Sequence, residues 1–128
     1  MDQISNMIIM MKNASLAKKE SVAFPHSKIK EAISECLKKE GYINSFSKKS
    51  KKGRNVIEVE LTYIGKSPKI NDVERISKQS KRVYFGVNDI FPIRNGSGLL
   101  VLSTPKGILS GKDAKANQVG GEALFKIW

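Results

Sequence analysis

The chain has 128 residues, 40% hydrophobic and 27% charged, which fits one domain or two small lobes with a real core and excludes a disordered chain. Lys and Arg number 23 against 12 Asp and Glu, a net charge of +11; such an excess repels itself in the compact state and points to a polyanionic partner, nucleic acid ahead of an anionic membrane surface or an acidic protein. No run of 18 or more apolar residues is present to span a membrane, and the single cysteine, Cys36, permits no internal disulfide and suits a reducing compartment.

From Asp2 to about Leu16, the residues Ile4, Met7, Ile8, Met11 and Ala14 recur at three- and four-residue steps, the stripe of an amphipathic helix with Asp2 as its cap. This start lacks a basic n-region and a small-residue cleavage site, so it does not read as a signal peptide. Lys12 and Asn13 fall beside the stripe. Val22 to Pro25 reads as a short edge strand ended by its proline. A second helix follows, with Ser27 as N-cap, Ile29, Ala32, Ile33, Cys36 and Leu37 as its buried face, and Gly41 as its left-handed stop. Lys28, Lys30, Glu31, Lys38 and Lys39 lie off that face. Ile43 to Phe46 is a strand, and a basic turn runs from Lys48 to Arg54. Ile57, Val59, Leu61 and Tyr63 then alternate with polar residues, as in a strand with one wet face. The first half is therefore α-β-α-β-β, and Gly65 to Lys69 is the candidate boundary.

The second half is mostly strands. Arg75 to Ser77 is short, Arg82 to Gly86 is β-rich, and Ile90 to Asn95 is irregular around Pro92. Gly98 to Ser103 is a continuous apolar run, expected to be a fully buried strand. Ser110 to Asn117 holds one or two helical turns, and Glu122 to Trp128 is the last strand, with Trp128 as a packing anchor. The fold class is α+β: an amino-terminal lobe over 1–66 and a β-rich lobe over 67–128.

No catalytic constellation is visible. His26 beside Pro25 suits a surface or capping role, and one His with one Cys cannot make a metal site. The Gly-x-x-x-x-Gly-Lys-Ser/Thr phosphate loop is absent, and Asn95-Gly96-Ser97-Gly98 is a turn. Glu58 and Glu60 share a strand face, either as paired carboxylates or as balance for nearby lysines. No cofactor is expected.

The binding signals each carry two readings. The basic turn, including Lys51 and Lys52, is either a solvated tip or a phosphate-seeking loop without sequence information. Ser103-Thr104-Pro105-Lys106-Gly107 is either a capped strand-to-helix turn or a set of hydroxyls, a cation and a close-approach glycine suited to unpaired RNA bases. Glu122, after Gly120-Gly121, either accepts from a base amino group or orients neighbouring Lys and Arg. Tyr84 is either core or a stacking platform.

Taken in order, Lys12-Asn13-Ala14, Ser27-Lys28, Glu40-Gly41-Tyr42-Ile43, Arg75-Ile76-Ser77-Lys78, Arg82-Val83-Tyr84, Asn95-Gly96-Ser97-Gly98, Leu102-Ser103-Thr104, Lys106-Gly107 and Gly120-Gly121-Glu122 resemble the bacterial-type small-subunit ribosomal protein eight family over nearly the whole chain. The resemblance implies a non-enzymatic protein of the cytoplasmic or organellar ribosome. It implies binding to the central domain of 16S-type ribosomal RNA early in small-subunit assembly, beside neighbouring small-subunit proteins. It implies a monomer when free, no membrane association, and in some members binding to a similar hairpin in ribosomal-protein messenger RNA. By resemblance, Tyr84, Ser103, Thr104, Lys106, Gly107, Gly121 and Glu122 contact an irregular RNA helix with a displaced base, and Lys12 and Asn13 hold phosphates; Arg82, in the matching Arg82-Val83-Tyr84 run, is a further RNA-binding candidate. The chain departs from the family's usual residues at Gln3, at Gln79-Ser80, at Pro105 and at Phe125. Pro105 removes a hydroxyl and a backbone donor from the proposed reading turn.

Overall fold

The computed structural model describes residues 3–91 and 98–128, with the side chain of Lys51 outside that description. The expected Asp2 cap, the irregularity around Pro92 and most of the 95–98 turn also fall outside it. Helix α1 (Gln3–Leu16) buries the expected stripe of Ile4, Met7, Ile8, Met11 and Ala14, together with Ser15. Strand β1 (Ser21–Pro25) follows, then helix α2 (Lys28–Lys39). The Ser27 hydroxyl accepts from the Lys30 backbone at 3.2 Å, and Gly41 takes a φ of +83°, so both ends of α2 are where side-chain chemistry predicts them.

The face of α2 differs from the expectation. Ile29 is exposed and Ala32 half-buried, while Lys30 and Ser34 are buried. Lys30 tolerates this because its Nζ donates to the Pro25 carbonyl at 3.1 Å and lies 5.9 Å from the Phe24 ring centroid. Its long stem covers apolar surface while its head is satisfied at the end of β1. Cys36 is the core thiol expected, and burial, reinforced by the charges of Glu40 and Asp113, pushes its pKa up to about 12.

Strand β2 (Ile43–Lys51) is longer than expected and takes in most of the basic turn. It pairs through Lys51 with Arg54 at the start of β3 (Arg54–Leu61), leaving a two-residue loop. Lys52 and Gly53 both have positive φ, at 51° and 76°, the geometry whose twist matches a right-handed hairpin. The expected broad loop is therefore a strand end and a tight turn. The first sheet has the order β1-β3-β2, and β1 is the edge strand expected. The wet-faced strand ends at Leu61. Tyr63 belongs to a separate small hairpin of β4 (Tyr63–Ile64) and β5 (Ser67–Pro68), so the candidate boundary is itself a paired turn.

The second sheet is antiparallel and has five strands: β6 (Val73–Arg75), β7 (Tyr84–Phe85), β8 (Leu99–Thr104), β9 (Gly107–Ser110) and β10 (Gly121–Ile127). β10 pairs with β8 on one side and with both β6 and β7 on the other. A 3-10 turn covers Val87–Asp89, and α3 (Gly111–Ala116) is capped by Ser110, whose hydroxyl accepts from Asp113 N at 3.1 Å. Strand β9 differs from the expectation of a strand-to-helix turn after Gly107, because Gly107–Ser110 pairs with β8 before α3 begins.

Two apolar clusters hold this sheet. Leu99, Val101, Leu124, Phe125 and Ile127 pack with α1, α2 and the first sheet. Leu100, Leu102 and Ala123 pack with Ile90 and Ala114 on the other face, where Trp128 adds partial cover. Both faces of β8 are thus covered, which is why its sequence reads as an unbroken apolar run.

Candidate nucleic-acid interface

The two glycines before Glu122 are dictated by backbone packing. A Cβ at Gly121 would stand 2.0 Å from the Ser103 carbonyl oxygen, and one at Gly120 would stand 2.2 Å from that of Phe85. Only glycine lets β10 thread between β7 and β8 at this separation. The threading sets Glu122 opposite Tyr84 on one side and opposite Ser103 on the other. Directly paired residues of antiparallel strands project from the same face. Tyr84, Glu122 and Ser103 therefore form one row across three strands. Tyr84 is 69% exposed, which removes it from the core and leaves its ring open to solvent.

Glu122 is held from the side of β6 and β7. Ile76 N donates to Leu124 O at 3.1 Å, Ser77 N to Ala123 O at 3.0 Å, and Ala123 N to Val83 O at 2.9 Å. Between these anchors the 78–82 loop closes on itself through reciprocal Lys78–Lys81 backbone bonds of 2.9 and 3.0 Å. Ser77 Oγ donates to Glu122 Oε2 at 2.5 Å and accepts from Val83 N at 3.2 Å. Arg82 Nη1 donates to the same Oε2 at 3.0 Å, and an Arg75 guanidinium nitrogen donates to the Leu124 carbonyl. Burial pushes the Glu122 carboxyl up, but the bonds from Ser77 and Arg82 and the charges of Arg82 and Arg75 outweigh it, so its pKa lies below the ordinary value of 4.5. At neutral pH it is ionised and acts only as an acceptor.

The Ser103–Gly107 segment is a hairpin turn between β8 and β9 rather than a strand-to-helix turn. Thr104 pairs with Gly107 across it, leaving Pro105 and Lys106 at the tip. Pro105 suits the first central position of such a turn, because its φ is already fixed. The Thr104 hydroxyl donates to Gly107 O at 2.8 Å and accepts from Lys106 N at 3.1 Å. Its proton and one lone pair are thus engaged in closing the turn. Gly107 has a φ of +112°, a conformation side chains disfavour. Ser103 differs: its hydroxyl has no hydrogen-bond partner among the described residues.

Tyr84, Arg82, Ser103, Thr104, Lys106, Gly107, Gly121 and Glu122 are therefore brought together. Lys12 and Asn13 sit apart on α1, where Asn13 is exposed and Lys12 bonds Asp72 at 2.9 Å. Lys52 sits at the tip of the β2–β3 hairpin, in the other sheet. Nearby, Lys49 is paired with Glu58 at 2.9 Å and Lys48 with Glu31 at 3.4 Å. Lys52 and Arg54 are exposed, with no ion-pair partner among the described residues. Glu58 thus balances a lysine, and Glu60 accepts from Asn44 and Ser45 at 3.4 and 3.3 Å. His26 bonds Glu31 at 3.0 Å. Among the described residues no cluster of His, Cys, Asp or Glu could hold a metal ion, and no helix is long and apolar enough to cross a membrane.

Sequence reasoning missed Ser77 as a site residue. It is fully buried, and its only signal was its place in the Arg75-Ile76-Ser77-Lys78 run.

The family model described as ribosomal protein S8 matches residues 2–128. The small ribosomal subunit protein uS8 of Dechloromonas aromatica is 43% identical over 123 residues, covering 96% of this chain and 94% of the relative. Its counterparts in Burkholderia cenocepacia and Burkholderia vietnamiensis are each 42% identical over 126 residues, covering 98% of this chain and 96% of theirs. With the family model spanning all but the first residue and relatives matched nearly end to end, the chain belongs to the ribosomal protein S8 family, whose members are structural proteins rather than enzymes.

Proposed function

We propose that this chain is a structural constituent of the small ribosomal subunit that binds the central domain of 16S-type ribosomal RNA and helps assemble that region. The β-rich lobe, 67–128, reads an irregular RNA helix. The amino-terminal lobe, 1–66, holds phosphates through Lys12, Asn13 and the β2–β3 tip with Lys51 and Lys52. The observation that carries this reading is the row of Tyr84, Glu122 and Ser103 beside the Thr104–Gly107 turn. It combines an open aromatic face, an ionised acceptor, an unengaged hydroxyl and a cation at Lys106. That set suits a base displaced from a helix, which stacks and offers its edge. The charge of +11 supplies affinity for the backbone without reading it.

In this role the free chain is a monomer that works in the cytoplasm, away from membranes and beside other small-subunit proteins. A messenger RNA hairpin of the same shape would compete for the same row, giving feedback repression of translation.

The test is binding of a short hairpin carrying the central-domain site, at two salt concentrations, against a fully paired control of equal length. Preference for the irregular hairpin that survives the higher salt is expected. Equal binding to both, lost together as salt rises, would leave a generic polycation and remove the reading role of Ser103 and Glu122.

A further inference from the structure

We infer that Ser77 is a positioning residue for RNA specificity, holding Glu122 as an oriented acceptor that selects a displaced base presenting an amino donor over one presenting carbonyl oxygens. The inference rests on the RNA-reading role proposed above and adds the residue and the base chemistry that set its selectivity.

Ser77 has no exposed surface, so it cannot touch RNA and must act through a neighbour. Its hydroxyl is engaged in both directions. It donates to Glu122 Oε2 at 2.5 Å and accepts from Val83 N at 3.2 Å. One oxygen atom thereby ties the neck of the 78–82 loop to the carboxylate on β10. Arg82, carried by the same loop, donates to that same Oε2 at 3.0 Å. Two donors on one oxygen fix the carboxylate. Oε1 is left without a hydrogen-bond partner among the described residues, in the row that holds the Tyr84 ring and the Ser103 hydroxyl.

An ionised carboxylate oxygen accepts and cannot donate. Cytosine N4, adenine N6 and the amino group of guanine satisfy it. Uracil offers one N–H flanked by two carbonyl oxygens, and a fixed carboxylate meets at least one of them unfavourably. A swivelling carboxylate could turn away from that clash. A carboxylate fixed through Ser77 and Arg82 cannot, so orientation becomes selectivity.

The experiment uses the full chain and four irregular hairpins that differ only in the displaced base: A, C, G or U. The wild-type chain is expected to bind the amino-bearing bases at least tenfold more tightly than U, as one hydrogen bond to a charged group allows. Glu122→Gln and Ser77→Ala should each reduce that ratio about tenfold, and the double variant should reduce it no further than Glu122→Gln alone. A purely structural serine would not show this dependence on Glu122. Urea unfolding of each variant reports folding separately. Ser77→Cys keeps the shape of the side chain, with a somewhat larger atom, and supplies a weak donor; it should lose the ratio partway even where Ser77→Ala does not fold. An unchanged ratio in the folded Ser77 variants, equal weakening on all four hairpins, or losses that add in the double variant would each overturn the inference. Wild-type preference for the irregular hairpin without discrimination at the displaced base would overturn this inference, for Ser77 and Glu122 together, and leave the RNA-reading role standing. No preference over a paired control would overturn the RNA-reading role itself.

Discussion

The β2–β3 tip is exposed and the Tyr84–Glu122–Ser103 row is half-buried beneath an exposed Tyr84, and the two are built in opposite ways. The tip concentrates cations on a two-residue turn, where Lys52 and Arg54 are held by little beyond their own backbone. The row carries fewer charges and fixes them. Two glycines let three strands close up, and Ser77 and Arg82 bind one oxygen of Glu122. Loose charge attracts any phosphate and is screened by salt. A held acceptor with a defined neighbour distinguishes one base from another. On the proposed reading the tip supplies affinity and the row supplies selectivity, and each half of that contrast can be attacked on its own.

The largest effect should come from closing the gap that glycine leaves. Gly121→Ala puts a Cβ against the Ser103 carbonyl, and β10 and β8 must part. A loss on the order of 4 kcal/mol in urea unfolding is expected, among the severe class of single substitutions. A loss below about 1 kcal/mol would mean the sheet yields locally, and the row would be softer than drawn. Next comes the division between two adjacent hydroxyls. Thr104→Ala removes both turn bonds and should cost about 1–2 kcal/mol of stability. Ser103→Ala should change stability by under about 0.5 kcal/mol while weakening the irregular hairpin about tenfold and sparing the paired control. Similar stability losses for the two, or equal weakening on both RNAs, would erase the distinction between a turn-closing and a base-facing hydroxyl. The smallest effect belongs to the tip. Replacing Lys52 and Arg54 by Ala should weaken all RNAs alike and lower the salt slope by roughly 1–2 units. An unchanged slope would make the tip a solvated turn only.

How much of this was legible beforehand depended on whether a residue's role was local. Ser27, Gly41 and the α1 stripe behave as read, because caps and helical periodicity depend on a few neighbouring residues. Lys30 does not: its burial needs the carbonyl of Pro25 and the ring of Phe24 in place beside it. Strand β9 leaves no mark in the sequence because Gly107–Ser110 is too short to show alternation, and it becomes a strand only by pairing with β8. Tyr84 had two readings that sequence could not separate, because exposure belongs to the sheet and not to the residue.

The basic charge, the α-β-α-β-β opening, the buried run of β8 and the ordered motifs that mark the family can all be read along the chain. Composition, periodicity and capping are properties of neighbouring residues along the chain. It takes the folded sheet to show that Gly121 is required by the Ser103 backbone, that the Thr104 hydroxyl closes a hairpin while that of Ser103 has no partner among the described residues, and that buried Ser77 bonds Glu122 from 45 positions away. Those roles arise from groups brought within bonding distance by sheet register, and that register is set by burying both faces of β8 at once.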